Sequence, residues 1–208
     1  CRHRPINANS FFIIISSLYG KHATISLIYP DGVNTSTYKL TTKRKKDLAN
    51  QDLLIYTGLI ERERNLAVEL LDYNSNLKII DSSYVLENSN NTDELWNDPS
   101  FMLMMCQNVR ISLKEYVENN YLRKEIDKNY ETLKITVSEL DADIRLAVEN
   151  APYKAIVTTS SAYKYLEKYG VKVYLVNDDT SDKDLKEIDN LIKQGKITKI
   201  FTYEEDKT

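Results

Sequence analysis

The stretch LRKEIDKNYETLKITVSELDADIRLAVE, from Leu122 to Glu149, decides the architecture. Its apolar residues Leu122, Ile126, Tyr130, Leu133, Val137, Leu140, Ile144 and Ala147 recur at steps of four and three. Side chains at those steps share one side of an α-helix, so the spacing predicts a single amphipathic helix. Roughly 28 residues rising about 1.5 Å each make a rod of about 42 Å. Such a rod is longer than one small lobe, and bridging two lobes is its natural use.

On both sides of this stretch, strand and helix signals alternate, which argues for an α/β fold with parallel strands. Upstream, Ser10 can cap a short helix that Gly20 stops. Thr24 to Tyr29 reads as a strand, followed by the turn Pro30-Asp31-Gly32. A polar helix is predicted from Thr41 to Asn50, and an apolar strand from Leu53 to Tyr56, closed by Gly58. A helix follows to about Leu71, then a strand from Leu77 to Ile80. Asn88 to Thr92 is a polar loop, and Asp98-Pro99 supplies an N-cap and first helical position. Downstream, Ala155 to Thr158, Lys172 to Val176 and Ile197 to Tyr203 read as strands. Ser160 caps a helix ended by Gly170, and Ser181 caps another ended by Gly195. The expected organisation is an N-terminal α/β lobe over 1–120, a linking helix over 121–150 and a smaller C-terminal α/β lobe over 151–208.

Composition narrows the function classes. The chain has 208 residues and a net charge of −3, with no broad basic face to hold a nucleic acid. Its one basic run, Lys43 to Lys46, lies on a predicted helix and reads as a solvated face. The strongest apolar run, Phe11 to Ile15, falls short of the roughly 18 to 20 residues of a membrane span. Cys106 sits in an apolar helical stretch and reads as a small buried hydrophobe. Cys1 is either an arbitrary starting point or the first residue of a mature lipoprotein. The five glycines lie far apart and form no phosphate loop, and no nucleophile elbow is present. His3 and His22 are the only histidines, and neither sits in a catalytic pattern. The reading is therefore a binding protein, not an enzyme.

Three motifs stand out: Gly32-Val33-Asn34-Thr35-Ser36-Thr37-Tyr38-Lys39-Leu40-Thr41, Glu94-Leu95-Trp96-Asn97-Asp98-Pro99, and Ser160-Ser161-Ala162-Tyr163-Lys164-Tyr165 running on to Tyr169-Gly170-Val171. Taken singly they are a turn before a helix, an N-cap with an aromatic anchor, and a capped amphipathic helix. In this order they resemble the TroA-like metal-binding solute receptors of bacterial zinc and manganese ABC importers. That family shows Gly-x-Asp-Pro-His-x-Tyr-x-x-Thr, then His-x-Trp-x-Asp-Pro, then His-Asp-Ala-Phe-x-Tyr with a later Arg-Tyr-Gly-like segment. Asp52 to Leu59 and Ser181 to Leu185 are similar to further family segments, so the resemblance runs from about Ser10 to Tyr203.

The resemblance implies two α/β lobes joined by a long helix, an extracytoplasmic location, a lipid on Cys1 as the sole membrane attachment, and an ABC permease as partner. It also implies departures. Ser36, Glu94 and Ser160 occupy the three positions where the family places histidines. Zinc prefers imidazole, thiolate or carboxylate, and a neutral hydroxyl is a poor substitute. The expectation is therefore a degenerate site holding no metal cofactor. In its place, Ser36, Glu94, Trp96, Ser160 and Tyr163 would line an interlobe cleft for a small solute or cation. The second lobe is shorter than the family's. An adhesin or interaction module on the same scaffold is the alternative.

Overall fold

The computed structural model describes residues 6–30, 33–35, 37–86 and 96–202. The chain divides into two compact units, one of residues 1–88 and 100–137, the other of residues 89–99 and 138–208. The described elements are helices α1 (Ile6–Tyr19), α2 (Thr42–Ala49), α3 (Glu61–Tyr73), α4 (Pro99–Tyr116), α5 (Asn120–Asn150) and α6 (Asp182–Lys193), and strands β1 (Leu53–Tyr56), β2 (Lys78–Asp81), β3 (Ala155–Thr158), β4 (Lys172–Leu175) and β5 (Ile200–Phe201). A 3-10 helix covers Ser161–Tyr169. The fold is α/β, with two small parallel sheets and one long helix, as the periodicity of Leu122 to Glu149 requires.

In the first unit β1 and β2 pair in parallel, Leu54 opposite Ile79 and Ile55 opposite Ile80. Strand alternation sends neighbouring side chains to opposite faces, and each face here meets its own helices. Leu53, Ile55 and Ile80 pack with Ile14 and Leu18 of α1, Cys106, Val109 and Leu113 of α4, and Ile126 and Tyr130 of α5. Leu54, Tyr56 and Ile79 pack with Leu48 of α2 and Leu66, Ala67 and Leu70 of α3. Apolar residues follow one another without polar alternation in LLIY and in Ile79-Ile80 because both faces are covered. Burial pushes the Cys106 thiol up to about 12.

Caps fix where the helices begin. Thr41 Oγ1 accepts from Arg44 N at 3.2 Å, a bond that contributes about 1 kcal/mol in such positions. Glu61 and Glu63 stand in the first turn of α3, where carboxylates complement the helix dipole. Arg110 and Lys114 of α4 both grip Asp127 of α5, at 2.7 and 2.6 Å, and hold its carboxyl below the usual range.

The expected strand at Thr24 to Tyr29 does not form. The segment has no ladder partner; instead the Leu27 carbonyl accepts from Arg44 Nη2 at 2.6 Å, and the buried Tyr29 ring stands edge-on to Tyr38. Side-chain anchoring of this segment replaces sheet pairing.

In the second unit all three strands are parallel in the order β4-β3-β5. Val157, Tyr174, Ile188 and Ile197 form its core. Ser181 caps α6: its Oγ accepts from Asp184 N at 3.1 Å and donates to Asp184 Oδ2 at 2.8 Å. Gly170 closes the 3-10 helix at φ 87°, a left-handed conformation that glycine adopts without steric cost.

Candidate functional site

Open parallel sheets place ligand-handling loops at the carboxyl ends of their strands. In the first unit those ends are Tyr56-Thr57-Gly58 and Asp81-Ser82-Ser83. Asp81 Oδ1 accepts from Gly58 N at 2.9 Å, Ser83 N at 2.9 Å and Ser83 Oγ at 2.7 Å. Ser82 Oγ donates to the Tyr56 carbonyl at 2.9 Å, and Leu59 N donates to Ser83 Oγ at 3.1 Å. The approach is close: a Cβ on Gly58 would lie 2.0 Å from Asp81 Oδ2. Residue 58 must therefore lack a side chain for Asp81 to sit where it does. From α4, Asn108 Nδ2 donates to the carbonyls of Ser82 and Tyr84 at 2.8 and 2.7 Å, fixing the turn after β2.

Glu63 closes the other side of this loop by accepting from Thr57 N at 2.8 Å. Burial raises its carboxyl above the ordinary range, against the opposing pull of the Thr57 amide and Arg62. Arg62 lies over the Tyr29 ring, 4.7 Å from the centroid. The Arg62–Tyr29 contact ties the segment that leads into the first motif to α3. Ser36 itself lies outside the described residues.

In the second unit the carboxyl end of β3 runs into the third motif. Buried Thr158 receives the amide of Ser160 at 3.0 Å, and Ser160 Oγ in turn accepts from Ala162 N at 3.2 Å. The following segment is a 3-10 helix, not the regular helix expected there. A 3-10 helix has three residues per turn, so side chains three apart eclipse. One row is Ala162, Tyr165 and Lys168; the next is Tyr163, Leu166 and Tyr169. Ala162 is buried, and Lys168 at the end of the first row pairs with Asp98. Tyr165 feels the same carboxylate, and burial above all raises its phenol. On the second row, Tyr163 lies 6.1 Å from the Phe201 ring, and Tyr169 Oη donates to Asp141 Oδ1 at 2.5 Å. Lys168 Nζ also stands 3.6 Å from Asp141 Oδ1. The Tyr169 hydrogen bond, followed by Arg145 and Lys168, holds the Asp141 carboxyl below its usual range.

The sequence-predicted site residues are distributed as follows. Ser160 caps the 3-10 helix and Tyr163 stands on its first turn. Trp96 is buried in the same unit, at 4% exposure. Ser36 and Glu94 lie outside the described residues, as does Cys1. Sequence reasoning missed Lys168 and Asp141. Asp98 directly precedes α4, where the sequence placed it as a cap, and it is also buried and bound to an ammonium group 70 positions away. Asp98 and Lys168 carried a sequence signal in that they fall in two motifs of the same family resemblance; Asp141, in the long helix, carried none.

Comparison with known proteins gives a consistent picture. The profile of the family described as zinc-uptake complex component A, periplasmic (ZnuA) matches residues 12–207. A Thermotoga maritima protein described as metal-binding is 26% identical over 93% of this chain and 72% of its own length. Among solved structures, the metal-dependent lipoprotein YcdH from Bacillus subtilis aligns with a TM-score of 0.77 at 16% identity, over 94% of this chain and 76% of that one. The Zn(II)-bound ZnuA-like domain of Streptococcus pneumoniae AdcA gives 0.73 at 20% identity, over 94% and 76%. The laminin-binding protein Lbp of Streptococcus pyogenes gives 0.73 at 18% identity, over 95% and 77%. At these identities the structural matches establish the fold.

The comparisons also correct one expectation. Loss of the three histidines led to an assignment of no metal, zinc and manganese included. The matching family is defined by zinc uptake, and solved proteins of the same fold are zinc-bound. Substituted ligand positions are no ground for removing the metal. With residues 12–207 matched, the chain belongs to the ZnuA family, the metal-binding periplasmic receptors of ABC importers, which are solute-binding proteins and not enzymes.

Proposed function

We propose that this chain is an extracytoplasmic receptor that captures a divalent cation of the zinc class and delivers it to the membrane permease of an ABC importer. The observation that carries this reading is the family match over residues 12–207. The metal-binding description of the Thermotoga maritima relative supports it. The cation is cargo, taken up and released, not a resident cofactor.

The finer part of the reading concerns the donors. Ser36, Glu94 and Ser160 replace imidazoles by oxygen ligands. Oxygen donors suit manganese, calcium and magnesium, whereas imidazole suits zinc and copper. An oxygen-donor site therefore binds zinc more weakly than a histidine site and narrows the gap between zinc and manganese. Trp96 and Tyr163 complete the proposed solute site as apolar walls. Attachment through a lipid on Cys1 is the localisation this reading favours, in line with the lipoprotein nature of YcdH.

Calorimetric titration of the apo-protein with zinc and with manganese tests the proposal. The expected result is one equivalent of either ion, with binding lost in Glu94→Gln. Failure to take up either ion removes the receptor reading. The fold likeness to the laminin-binding Lbp supports a second reading as a surface adhesin. Binding of extracellular-matrix protein without any metal uptake would favour it.

A further inference from the structure

Arg62 stands in the first turn of α3, directly after the loop that leaves β1. Two nitrogens of its guanidinium, Nε and Nη1, are buried and find no acceptor among the described residues. The group lies over the buried Tyr29 ring, 4.7 Å from the centroid. A ring face attracts the charge but does not replace an oxygen acceptor.

The neighbouring acceptors are committed elsewhere. Asp81 Oδ1 takes the amides of Gly58 and Ser83 and the Ser83 hydroxyl, and its Oδ2 lies against Gly58. Glu63 Oε2 accepts from the Thr57 amide. Along α3, the positions that share a side with residue 62 are Gly58, Leu59, Asn65 and Leu66, and none of them is a carboxylate. Glu69, two turns on, accepts from Lys45. A guanidinium stays charged at any working pH. Buried donors on such a group cost free energy unless an acceptor meets them. The place also suits an anion. It follows the carboxyl end of a parallel strand, where open sheets take ligands. It lies on the first turn of a helix, whose dipole favours negative charge.

We propose that Arg62 anchors a binding site for a small oxyanion in the first unit, a ligand whose oxygens meet the guanidinium as a fork. A carboxylate and a phosphate share that chemistry. The contact with Tyr29 restrains the guanidinium before the anion arrives, so less motion is lost on binding. The inference is independent of the receptor reading, because this site takes an anion and needs no metal ion.

Calorimetric titration of the metal-free protein with citrate and with inorganic phosphate tests it, with ionic strength held constant by chloride. Three proteins are compared: the wild type, Arg62→Lys and Arg62→Met, with circular dichroism to check folding. One equivalent of citrate or of phosphate is expected to bind the wild type. Binding of citrate alone identifies a carboxylate ligand, and binding of phosphate alone a phosphate. In Arg62→Met the affinity falls by about 10- to 100-fold, as when a hydrogen bond from a charged group is lost. Arg62→Lys keeps the charge but not the fork, and its affinity falls between the other two. Failure of both anions to bind the wild type overturns the proposal. So does equal affinity in the wild type and folded Arg62→Met. If Arg62→Met does not fold, Arg62→Lys decides: weaker binding supports the fork and unchanged affinity overturns it. Each of these results leaves the zinc and manganese titrations, and with them the receptor reading, as they stand.

Discussion

Each unit holds an aspartate at the edge of its motifs, and the two are held differently. Asp81 in the first unit is satisfied by neutral donors from near neighbours: two backbone amides and one serine hydroxyl. Asp98 in the second unit is buried and answered by the ammonium of Lys168, far away in sequence. Neutral donors spread the anion's stabilisation over several bonds, each modest. An ion pair places a large share of it on the cation, and removing that cation leaves the buried carboxylate less well compensated. The first arrangement divides the cost of losing a donor among several bonds; in the second, a large share of it falls on the ammonium.

The largest effect should therefore come from Lys168→Met, which removes the ammonium that faces the buried Asp98. We expect a loss of about 2 to 3 kcal/mol in urea unfolding, below the range for fully buried pairs because Lys168 is partly exposed. The paired variant Asp98→Asn/Lys168→Met should recover most of it. Equal stability of Lys168→Met and wild type would erase the contrast between the two units.

Gly58→Ala should come next, at about 1 to 3 kcal/mol, since the added methyl must displace Asp81 and its three bonds. Here the check is specific. Amide exchange at Gly58 and Ser83 should speed up, while the second unit stays unchanged.

A smaller, pH-dependent effect is expected at Asp141. Its folded-state pKa is depressed, so its stabilisation is present above the unfolded carboxylate range and is lost as pH falls through the folded value. Asp141→Asn should flatten the acid limb of the stability profile and cost less than about 1 kcal/mol near neutrality, because the group is partly solvent-screened. Glu63 has the opposite sign. Its pKa is raised by burial, so the native state favours its protonated form and stability declines as pH rises through the shifted value. Glu63→Gln keeps an oxygen for the Thr57 amide. It should leave the melting temperature unchanged or slightly higher at neutral pH, and identical pH profiles for Glu63→Gln and wild type would remove this assignment.

The contrast between the two aspartates also explains what the sequence could reveal. The long helix was legible because its stripe of Ile126, Tyr130 and Val137 repeats over many turns, and those three are the buried residues of α5. Ser181 and Gly170 were legible because caps act within a few residues of themselves. Thr24 to Tyr29 misled because its alternation is real, yet a strand needs a partner and the Leu27 carbonyl is taken by Arg44. The 3-10 winding after Ser160 was hidden, because its consequence depends on a residue at position 98 that local pattern cannot supply. The metal was misjudged for a related reason. Three ligand positions were read one by one, whereas membership in the family is carried by the whole span from 12 to 207.

Cys106 of α4 offers a last consequence. Its side chain is fully buried among Ile14, Val109 and Ile126, and its thiol is pushed up to about 12. Only a thiolate is a good nucleophile. In the native state this sulfur is therefore silent towards oxidants and alkylating reagents, an advantage in an oxidising compartment. Once the helices around it part, it becomes reactive. Alkylation of Cys106 is thus a clock for the opening of the first unit, and the mutants above can be ranked by it without any optical probe.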